Sequence, residues 1–402
     1  LKKPLLYLFL INIFLQFSNK SYRLIIGRSS IIINMLIKFT GFLILTVYFL
    51  VLTVSLSEGP LVSLQSYFLG VIGLVFILLL TSSIARKINL VDISDEPRKE
   101  HTGAIPLVGG IGLFVSLIYG AFVFGVDVFY LYLLGSLLPI MIVGVIDGLQ
   151  GVAISPVYRV MAQILSSWIV IVATDIYIKD LGDIFGFGPL IIGQLGIPFS
   201  IFAVVGICNA FNMLDGKDGL LGSVSVVIMS SLLLLLYFNG VIYQWAHIVA
   251  LSIVVYLAFN LSLFGQKRKI FLGDHGSTGL GHIIAWSLIF LSQETNFVTP
   301  VSALWFVLLP LTDAILTFVR RVKSSKSVFQ GDRLHIHHRL SDKGFSDPMI
   351  VLICSFITFA GCSIAIFSNI FSSKEYLLFY GYITLLVMLA LQGFLKPMKD
   401  DS

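Results

Sequence analysis

Long apolar runs alternate with short polar connections from about residue 66 to residue 395. A bilayer core needs roughly 20 apolar residues per helix, and lipid leaves the backbone of an open sheet without hydrogen-bond partners. The pattern therefore predicts an all-α polytopic membrane protein, a bundle of about 11 transmembrane helices. The predicted helices lie near 66–84, 107–125, 128–146, 157–174, 195–208, 219–238, 243–264, 278–293, 300–319, 348–369 and 376–395.

The first 65 residues do not follow this regular pattern. Their apolar runs, near 5–17 and 41–56, are short and are separated by basic residues. We interpret 1–65 as an N-terminal extension with uncertain apolar segments, whose presence in the mature protein the sequence leaves open. The membrane domain is then 66–395, followed by a tail at 396–402.

Composition supports this reading. Of the 402 residues, 57% are hydrophobic and only 12% are charged, whereas soluble domains carry roughly 25% charged residues. The three cysteines, Cys208, Cys354 and Cys362, lie in or beside apolar runs. Their spacing matches neither a metal site nor a disulfide framework, so they are interpreted as small core residues.

The basic residues predict an orientation. Alternate connections hold nearly all of the lysines and arginines after residue 66, whereas the opposite connections hold only Lys179 and Lys374. The positive-inside rule places the basic set in the cytoplasm, which also puts the C-terminus there. Five polar clusters then share the cytoplasmic face and are expected to form one composite site. They are SDEPRKEHTGAIPLVGG (94–110), VIDGLQG (145–151), NAFNMLDGKDGL (209–220), KIFLGDHGSTGLGH (269–282) and GDRLHIHHRL (331–340).

The cluster at 209–220 is the most polar stretch between two apolar runs. Asn209 and Asn212 are three residues apart, and so are Asp215 and Asp218. At helical spacing, residues i and i+3 share a face, so each pair could converge on one ligand. The alternative is a solvated turn between two spans, with Gly216 and Gly219 as turn residues.

The cluster at 269–282 places one carboxylate, Asp274, between glycines and before an apolar run. Glycines and a helix N-terminus favour the approach of phosphate, which a lone carboxylate would repel unless a divalent cation lay between them. Asp274 is therefore a candidate Mg²⁺ ligand. Asp147, at the inner end of its predicted helix, could be a second ligand, a base, or only a helix cap.

Histidines and basic residues supply candidate anion-binding groups. His335, His337 and His338 follow Arg333 closely. Such a histidine cluster could bind zinc, but histidines among arginines more often hold phosphate or sugar oxygens. A further cationic clamp is expected at 98–101, which includes Lys99 and His101. Carboxylates, a divalent cation and cationic arms beside lipid are the equipment of phosphoryl transfer between a lipid phosphate and a soluble donor.

Four stretches carry a resemblance to a known family: DEPRKEHTGAIPLVGGIG, NAFNMLDGKDGLLG, FLGDHGSTGLG and DRLHIHHRL. Over about 66–395 the chain resembles the polyprenyl-phosphate N-acetylhexosamine-1-phosphate transferases, the WecA/MraY superfamily, and its DRLHIHH form resembles the WecA-like branch. The resemblance implies Mg²⁺-dependent transfer, with Mn²⁺ as a substitute, of N-acetylhexosamine 1-phosphate, in the first place GlcNAc 1-phosphate, from a UDP-sugar to undecaprenyl phosphate. UMP is released, and the product initiates a cell-surface glycan of O-antigen, common-antigen, capsule or teichoic type.

The resemblance also implies a location and partners. The expected place is the bacterial inner membrane, with the site facing the cytoplasm. UDP-N-acetylhexosamine, undecaprenyl phosphate and membrane lipid are the expected partners. A homodimer is allowed, and no nucleic-acid partner is expected.

Site roles are carried over by position. Asp147, Asp215 and Asp218 are assigned as catalytic, and Asp274 with Asp147 as metal ligands. The substrate-binding residues are Lys99, His101, Asn209, Asn212, Arg333, His335, His337 and His338.

One position departs from the family pattern, which has two adjacent aspartates where this chain has Asp147 and Gly148. The departure keeps a second hypothesis open, a catalytically impaired homologue that binds lipid phosphate or acts as a scaffold. A transporter that uses intramembrane carboxylates is a third hypothesis, but the predicted charges lie at one face and not at the midplane.

Overall fold

The computed structural model describes residues 61–93, 103–125, 127–152, 154–323 and 335–391, with side chains from residue 65 onward. The described helices are α1 (Leu61–Lys87), α2 (Gly109–Phe124), α3 (Val128–Asp147), α4 (Pro156–Thr174), α5 (Gly196–Leu214), α6 (Leu220–Phe238), α7 (Gln244–Asn260), α8 (Asp274–Gln293), α9 (Pro300–Phe306), α10 (Leu308–Lys323), α11 (Ile336–Asp342), α12 (Asp347–Ile370) and α13 (Glu375–Leu389). Two short strands, β1 (Val91–Asp92) and β2 (Ile105–Pro106), pair antiparallel.

The structure is a helical membrane protein, as the apolar pattern predicts. Each of the 11 apolar runs coincides with helix in the structure. By length and composition, six of the described helices could cross a membrane, or seven if the bent pair α9–α10 forms one span. Helices α2, α7 and α13 are apolar but shorter, so the count of 11 spans stays a prediction. The extension at 1–60 and the tail at 392–402 lie outside the described residues.

Three features differ from the pattern. The predicted helix at 300–319 is two helices, α9 and α10, which meet at Val307 with a bend of 86°. The short helix α11 and the strand pair were not predicted, because neither contains enough apolar residues to produce a periodic signal. The fold is therefore helical with one small strand pair.

Helix α8 lies at the centre of the described bundle. Of its 20 residues, 17 are buried, yet it is not apolar enough to count among the candidate spans. Glycines let neighbouring backbones approach it closely. A Cβ atom on Gly144 of α3 would lie 2.7 Å from the His275 backbone, and a Cβ atom on Gly110 of α2 would lie 2.4 Å from the Gly276 Cα.

Backbone pairing fixes the start of α8. Phe271 N donates to the Pro106 carbonyl at 2.9 Å, and Gly109 N donates to the Phe271 carbonyl at 2.9 Å. Gly110 N likewise donates to the Leu272 carbonyl at 3.0 Å. The segment before Asp274 is thus held against β2 and α2, so the carboxylate starts from a fixed backbone.

Candidate active site

A polar cleft of about 630 Å³ opens at one end of the bundle. The helices α3, α5 and α7 end there, and α4, α8 and α12 begin there. Acidic and amide side chains from distant parts of the chain line it, namely Asp147, Asn212, Asp215, Asp218, Asp274 and Asp347. The structure therefore brings the predicted clusters around 147, 215 and 274 together.

Asp274 is the first residue of α8 and has a partner on each carboxylate oxygen. Its Oδ1 accepts from Asn212 Nδ2 at 3.1 Å, and its Oδ2 accepts from Arg159 Nη1 at 2.7 Å. Asn212 also donates to Ser277 Oγ at 2.9 Å. The end of α5 and the first turn of α8 are therefore joined through one amide.

Asp147 is the last residue of α3 and shares Arg159 with Asp274. Its Oδ2 lies 3.2 Å from Arg159 Nε, and its Oδ1 accepts from the Ile154 backbone N–H at 2.9 Å. One guanidinium thus contacts two carboxylates that lie 127 positions apart in the chain.

The segment 215–219 is a turn, and the prediction that Asp215 and Asp218 share a helical face is wrong. Helix α5 ends at Leu214 and α6 begins at Leu220, and Gly219 adopts a φ of 77°, which favours glycine. Asn260, at the end of α7, holds the turn. Its Oδ1 accepts from Gly219 N at 2.7 Å, and its Nδ2 donates to the Ile270 carbonyl at 3.1 Å.

Asp215 is set apart from the other carboxylates by its surroundings. Protein atoms enclose most of its side chain, although the carboxylate reaches the cleft. Burial raises the pKa of Asp215 from 3.8 to about 7, with further contributions from the negative charges of Asp274 and Asp218. Asp215 can therefore exchange a proton near neutral pH.

Two lysines neutralise part of this acidic cleft. Lys269 Nζ lies 2.5 Å from Asp218 Oδ2, and Lys217 Nζ lies 2.5 Å from Asp347 Oδ1. Both lysine side chains are largely buried, whereas both carboxylates are about half exposed. The carboxylates thus remain open to the cleft while the lysine stems pack below them.

The three predicted histidines lie side by side, with ring centroids 5.9 Å apart for His335 and His337 and 4.2 Å apart for His337 and His338, but they differ in their contacts. His335 is buried and its Nδ1 lies 2.8 Å from Asp313 Oδ2, while the Ile336 backbone N–H donates to Asp313 Oδ1 at 2.8 Å. His338 alone of the three lines the cleft. Asp313 therefore fixes the start of α11, from which the other histidine rings follow.

His337 is buried against the turn that carries Asp215. A Cβ atom on Gly216 would lie 2.3 Å from His337 Nε2. Neither ring nitrogen of His337 has a hydrogen-bond partner among the described residues. Burial, followed by the charges of His338, His335 and Lys217, lowers the pKa of His337 to about 2, so this ring is neutral at physiological pH.

The remaining predicted residues divide into two groups. Asn209 lies one turn before Asn212 and does not line the cleft; its Nδ2 donates to Gln163 Oε1 at 2.8 Å and to the Val205 carbonyl at 2.8 Å. Lys99, His101 and Arg333 lie outside the described residues.

The cleft fits a divalent cation by its chemistry. Within the described ranges, no three His, Cys, Asp or Glu side chains form a complete metal cage. Mg²⁺, however, is usually held by one or two carboxylates, with phosphate oxygens and water completing its shell. Asp274 and Asp147 share one guanidinium between two carboxylates, and a divalent cation beside them would balance the remaining negative charge.

Several site residues were missed at the sequence level. Arg159, Asn260, Asp313 and Asp347 were not assigned to the site, and Lys269 lay in the predicted cluster 269–282 but was given no role. Arg159 and Lys269 are basic residues beside apolar runs, which is the one signal that could have suggested them. Asp313 and His335 pair although they are 22 residues apart in the chain, and no local sequence pattern predicts this contact.

This chain is similar to proteins of known function. The model of glycosyl transferase family 4 matches residues 130–292. The chain is 34% identical over 324 residues to the undecaprenyl-phosphate alpha-N-acetylglucosaminyl 1-phosphate transferase of Salmonella typhi, covering 79% of this chain and 85% of the relative. The enzyme of that name from Escherichia coli K12 is 33% identical over 320 residues, with 78% and 84% covered. The one from Haemophilus influenzae is 35% identical over 326 residues, with 80% and 91% covered.

Proposed function

The chain belongs to the family of polyprenyl-phosphate N-acetylhexosamine-1-phosphate transferases, and on this basis we propose that it transfers N-acetylhexosamine 1-phosphate from a UDP-sugar to undecaprenyl phosphate. GlcNAc 1-phosphate is the proposed group, because the relatives at 33–35% identity carry N-acetylglucosaminyl 1-phosphate transferase as their name. The product would initiate a cell-surface glycan.

The observation that carries the proposal is the cleft itself. It places Asp147, Asp215 and Asp274 within one polar space at the end of apolar helices. A diphosphate donor needs counter-charges, and a lipid phosphate needs access from the membrane side. A cleft at the end of a membrane bundle offers both, which a soluble nucleotide-binding pocket would not.

The proposed roles follow from the contacts. Asp274 and Asp147 would hold Mg²⁺ or Mn²⁺, which when bound neutralises charge on the donor diphosphate. Asn212 orients Asp274, and His338, which lines the same cleft, would contact the donor. Asp218 is held by Lys269 at the cleft edge, where we place the nucleotide.

The transfer forms one bond and breaks one. An oxygen of the lipid phosphate attacks the β-phosphorus of the UDP-sugar, and the bond from that phosphorus to the bridging oxygen breaks, so UMP leaves with the electron pair. A phosphate monoester has a second pKa near 6, and Asp215, with its pKa of about 7, can accept the remaining proton. One diphosphate is made for each one broken, so added UMP should drive the reaction backwards.

The membrane side is also a proposal. The basic residues of the connections at the cleft end exceed those at the opposite end, and the positive-inside rule favours the cytoplasm for the richer face. The bacterial inner membrane is the proposed location, with the UDP-sugar reaching the cleft from the cytoplasm. A solvent-exposed cysteine introduced near Asp347, labelled in intact and permeabilised cells, tests the side.

The activity test uses the purified full chain with undecaprenyl phosphate, Mg²⁺ and radiolabelled UDP-N-acetylglucosamine. Label in the lipid fraction, released again by excess UMP, is the expected result. An Asp274→Asn variant should lose transfer and serves as the matched control. Label that stays in the aqueous phase for every UDP-sugar supplied would contradict the transferase proposal.

One observation favours a second candidate, an impaired homologue that only binds lipid phosphate. Gly148 offers no carboxylate to the cleft, and a Cβ atom there would lie 3.0 Å from Leu90 Cδ1 and 3.2 Å from Leu107 Cδ1. Because Gly148 has α-helical backbone angles, aspartate fits if the two leucine tips move slightly. Transfer by Gly148→Asp but not by the natural chain would support this candidate, and transfer by the natural chain would reject it.

A further inference from the structure

Arg159 occupies the point toward which two cleft carboxylates converge. Its Nη1 lies 2.7 Å from Asp274 Oδ2, and its Nε lies 3.2 Å from Asp147 Oδ2. These are the two carboxylates that the proposed function assigns to the divalent cation. The Arg159 guanidinium thus lies where the proposed function requires a divalent cation.

Each carboxylate is held by a second partner that does not involve Arg159. Asp147 Oδ1 accepts from the Ile154 backbone N–H at 2.9 Å, and Asp274 Oδ1 accepts from Asn212 Nδ2 at 3.1 Å. In both residues the Oδ1 atom is anchored and the Oδ2 atom faces Arg159. Removal of the guanidinium would therefore leave both Oδ2 atoms directed toward the same space.

The contacts of Arg159 with the two carboxylates allow another cation to replace it. Its Nε is close to Asp147 but makes no well-aligned hydrogen bond among the described residues. The Arg159 side chain is 37% exposed and that of Asp274 is 44% exposed, so water can replace the guanidinium at Asp274. The Asp147 side chain is only 11% exposed, but it keeps its hydrogen bond from the Ile154 N–H, and a bound cation would take over the charge that Arg159 balances there. The partly exposed pair with Asp274 contributes little stability.

We infer that Arg159 is an exchangeable counter-ion, which balances Asp147 and Asp274 in the ligand-free protein and is displaced from them when a divalent cation binds. Once displaced, its long side chain can follow the donor phosphates, because a guanidinium pairs with phosphate oxygens as well as with carboxylates. Arg159 is therefore a positioning residue that competes with the cation and does not hold it. The inference rests on the proposed function, since it takes the cation from there.

The test measures binding of Mn²⁺ alone, by the loss of the free-ion electron paramagnetic resonance signal, in the purified full chain without substrates. Arg159→Met should tighten Mn²⁺ binding by about fivefold to tenfold, since the guanidinium no longer competes at Asp274 and Asp147. The matched control is Lys217→Met, which removes one positive charge from the same cleft but from Asp347. It should change the affinity by less than about twofold.

Arg159→Lys keeps the charge but lacks the planar fork that reaches two carboxylates, so its Mn²⁺ affinity should lie between those of the wild type and Arg159→Met. This variant carries the test if the methionine variant does not fold. Unchanged or weaker Mn²⁺ binding in both Arg159 variants would overturn the inference, and so would equal tightening in Lys217→Met. No Mn²⁺ binding by any protein would instead reject the metal part of the proposed function, and this inference with it.

Discussion

Asp215→Asn should make the folded protein less sensitive to pH. In the native chain, burial and the neighbouring carboxylates raise the pKa of Asp215 from 3.8 to about 7. The folded state therefore binds more protons than the unfolded state between these two values, and stability falls as the pH rises through this window. Asparagine has nearly the same shape and cannot ionise, so the variant lacks this contribution at every pH.

The size of the effect follows from the shift. A pKa change from 3.8 to about 7 corresponds to about 4 kcal/mol in full, of which about 3 kcal/mol accumulates between pH 5 and pH 8. For a chain of 402 residues, that difference amounts to about 3 °C in the unfolding temperature. The variant should gain this much relative to the wild type as the pH is raised.

The assay is thermal unfolding of both proteins in the same detergent at pH 5, 6, 7 and 8. The control is Asp175→Asn, which removes one carboxyl group whose side chain is 83% exposed and does not line the cleft. A constant difference between Asp215→Asn and wild type across the range would refute the argument from burial and like charge. Mn²⁺ should raise the unfolding temperature of the wild type more at pH 8 than at pH 5, because a cation relieves the same repulsion.

Three further outcomes are expected. Gly216→Ala should lower the unfolding temperature by the equivalent of about 1–3 kcal/mol and reduce transfer, because its Cβ atom would lie 2.3 Å from the buried His337 ring. The control is Gly206→Ala, which has open space at its Cβ atom and should be neutral or slightly stabilising. Asp313→Asn should slow transfer by about tenfold to a hundredfold while the protein still folds. The two carboxylate oxygens of Asp313 face the Ile336 N–H and His335 Nδ1, and an amide, with one oxygen, cannot present an acceptor to both. An unchanged rate would show that the His335 pairing is irrelevant to the reaction. Chelation by EDTA should abolish transfer and added Mg²⁺ should restore it, and transfer that survives exhaustive chelation would count against a divalent cation.

The helices could be predicted because their signal is local. In lipid, a helix satisfies the backbone hydrogen bonds of an apolar run of membrane length within the run itself, and each of the 11 runs contains helix in its described part. The ends near the cleft were less predictable. Helix α8 begins at Asp274, four residues before the apolar run, because its first turn consists of polar and small residues that pack on other backbones.

The sequence predicts which aspartates belong to the site better than it predicts how they are arranged. The sequence indicates that Asp147, Asp215 and Asp274 belong to one cytoplasmic cluster, and the structure places them in one cleft. Helical spacing misassigned the turn after Leu214, because Gly216 and Gly219 end the helix before the two aspartates can share a face.

Long-range contacts account for the rest. The three histidine rings lie in a row, but His335 is paired with Asp313 and His337 packs on Gly216, so His338 is the one of the three that lines the cleft. The double contact of Arg159 joins the end of α3 with the starts of α4 and α8. Such contacts depend on how helices pack, and no short motif in a single sequence records them.

The central position of α8 has a consequence for how the protein is made. A helix with hydroxyl groups, histidines and glycines along its length, 17 of whose 20 residues are buried, gains little from contact with acyl chains when it leaves the ribosome and the translocon. Its partners α2, α3 and α5 are synthesised earlier, so they are already present to receive it. Integration of α8 should therefore depend on the preceding segments, and the cleft carboxylate at its first position would reach its place only when that assembly step is complete.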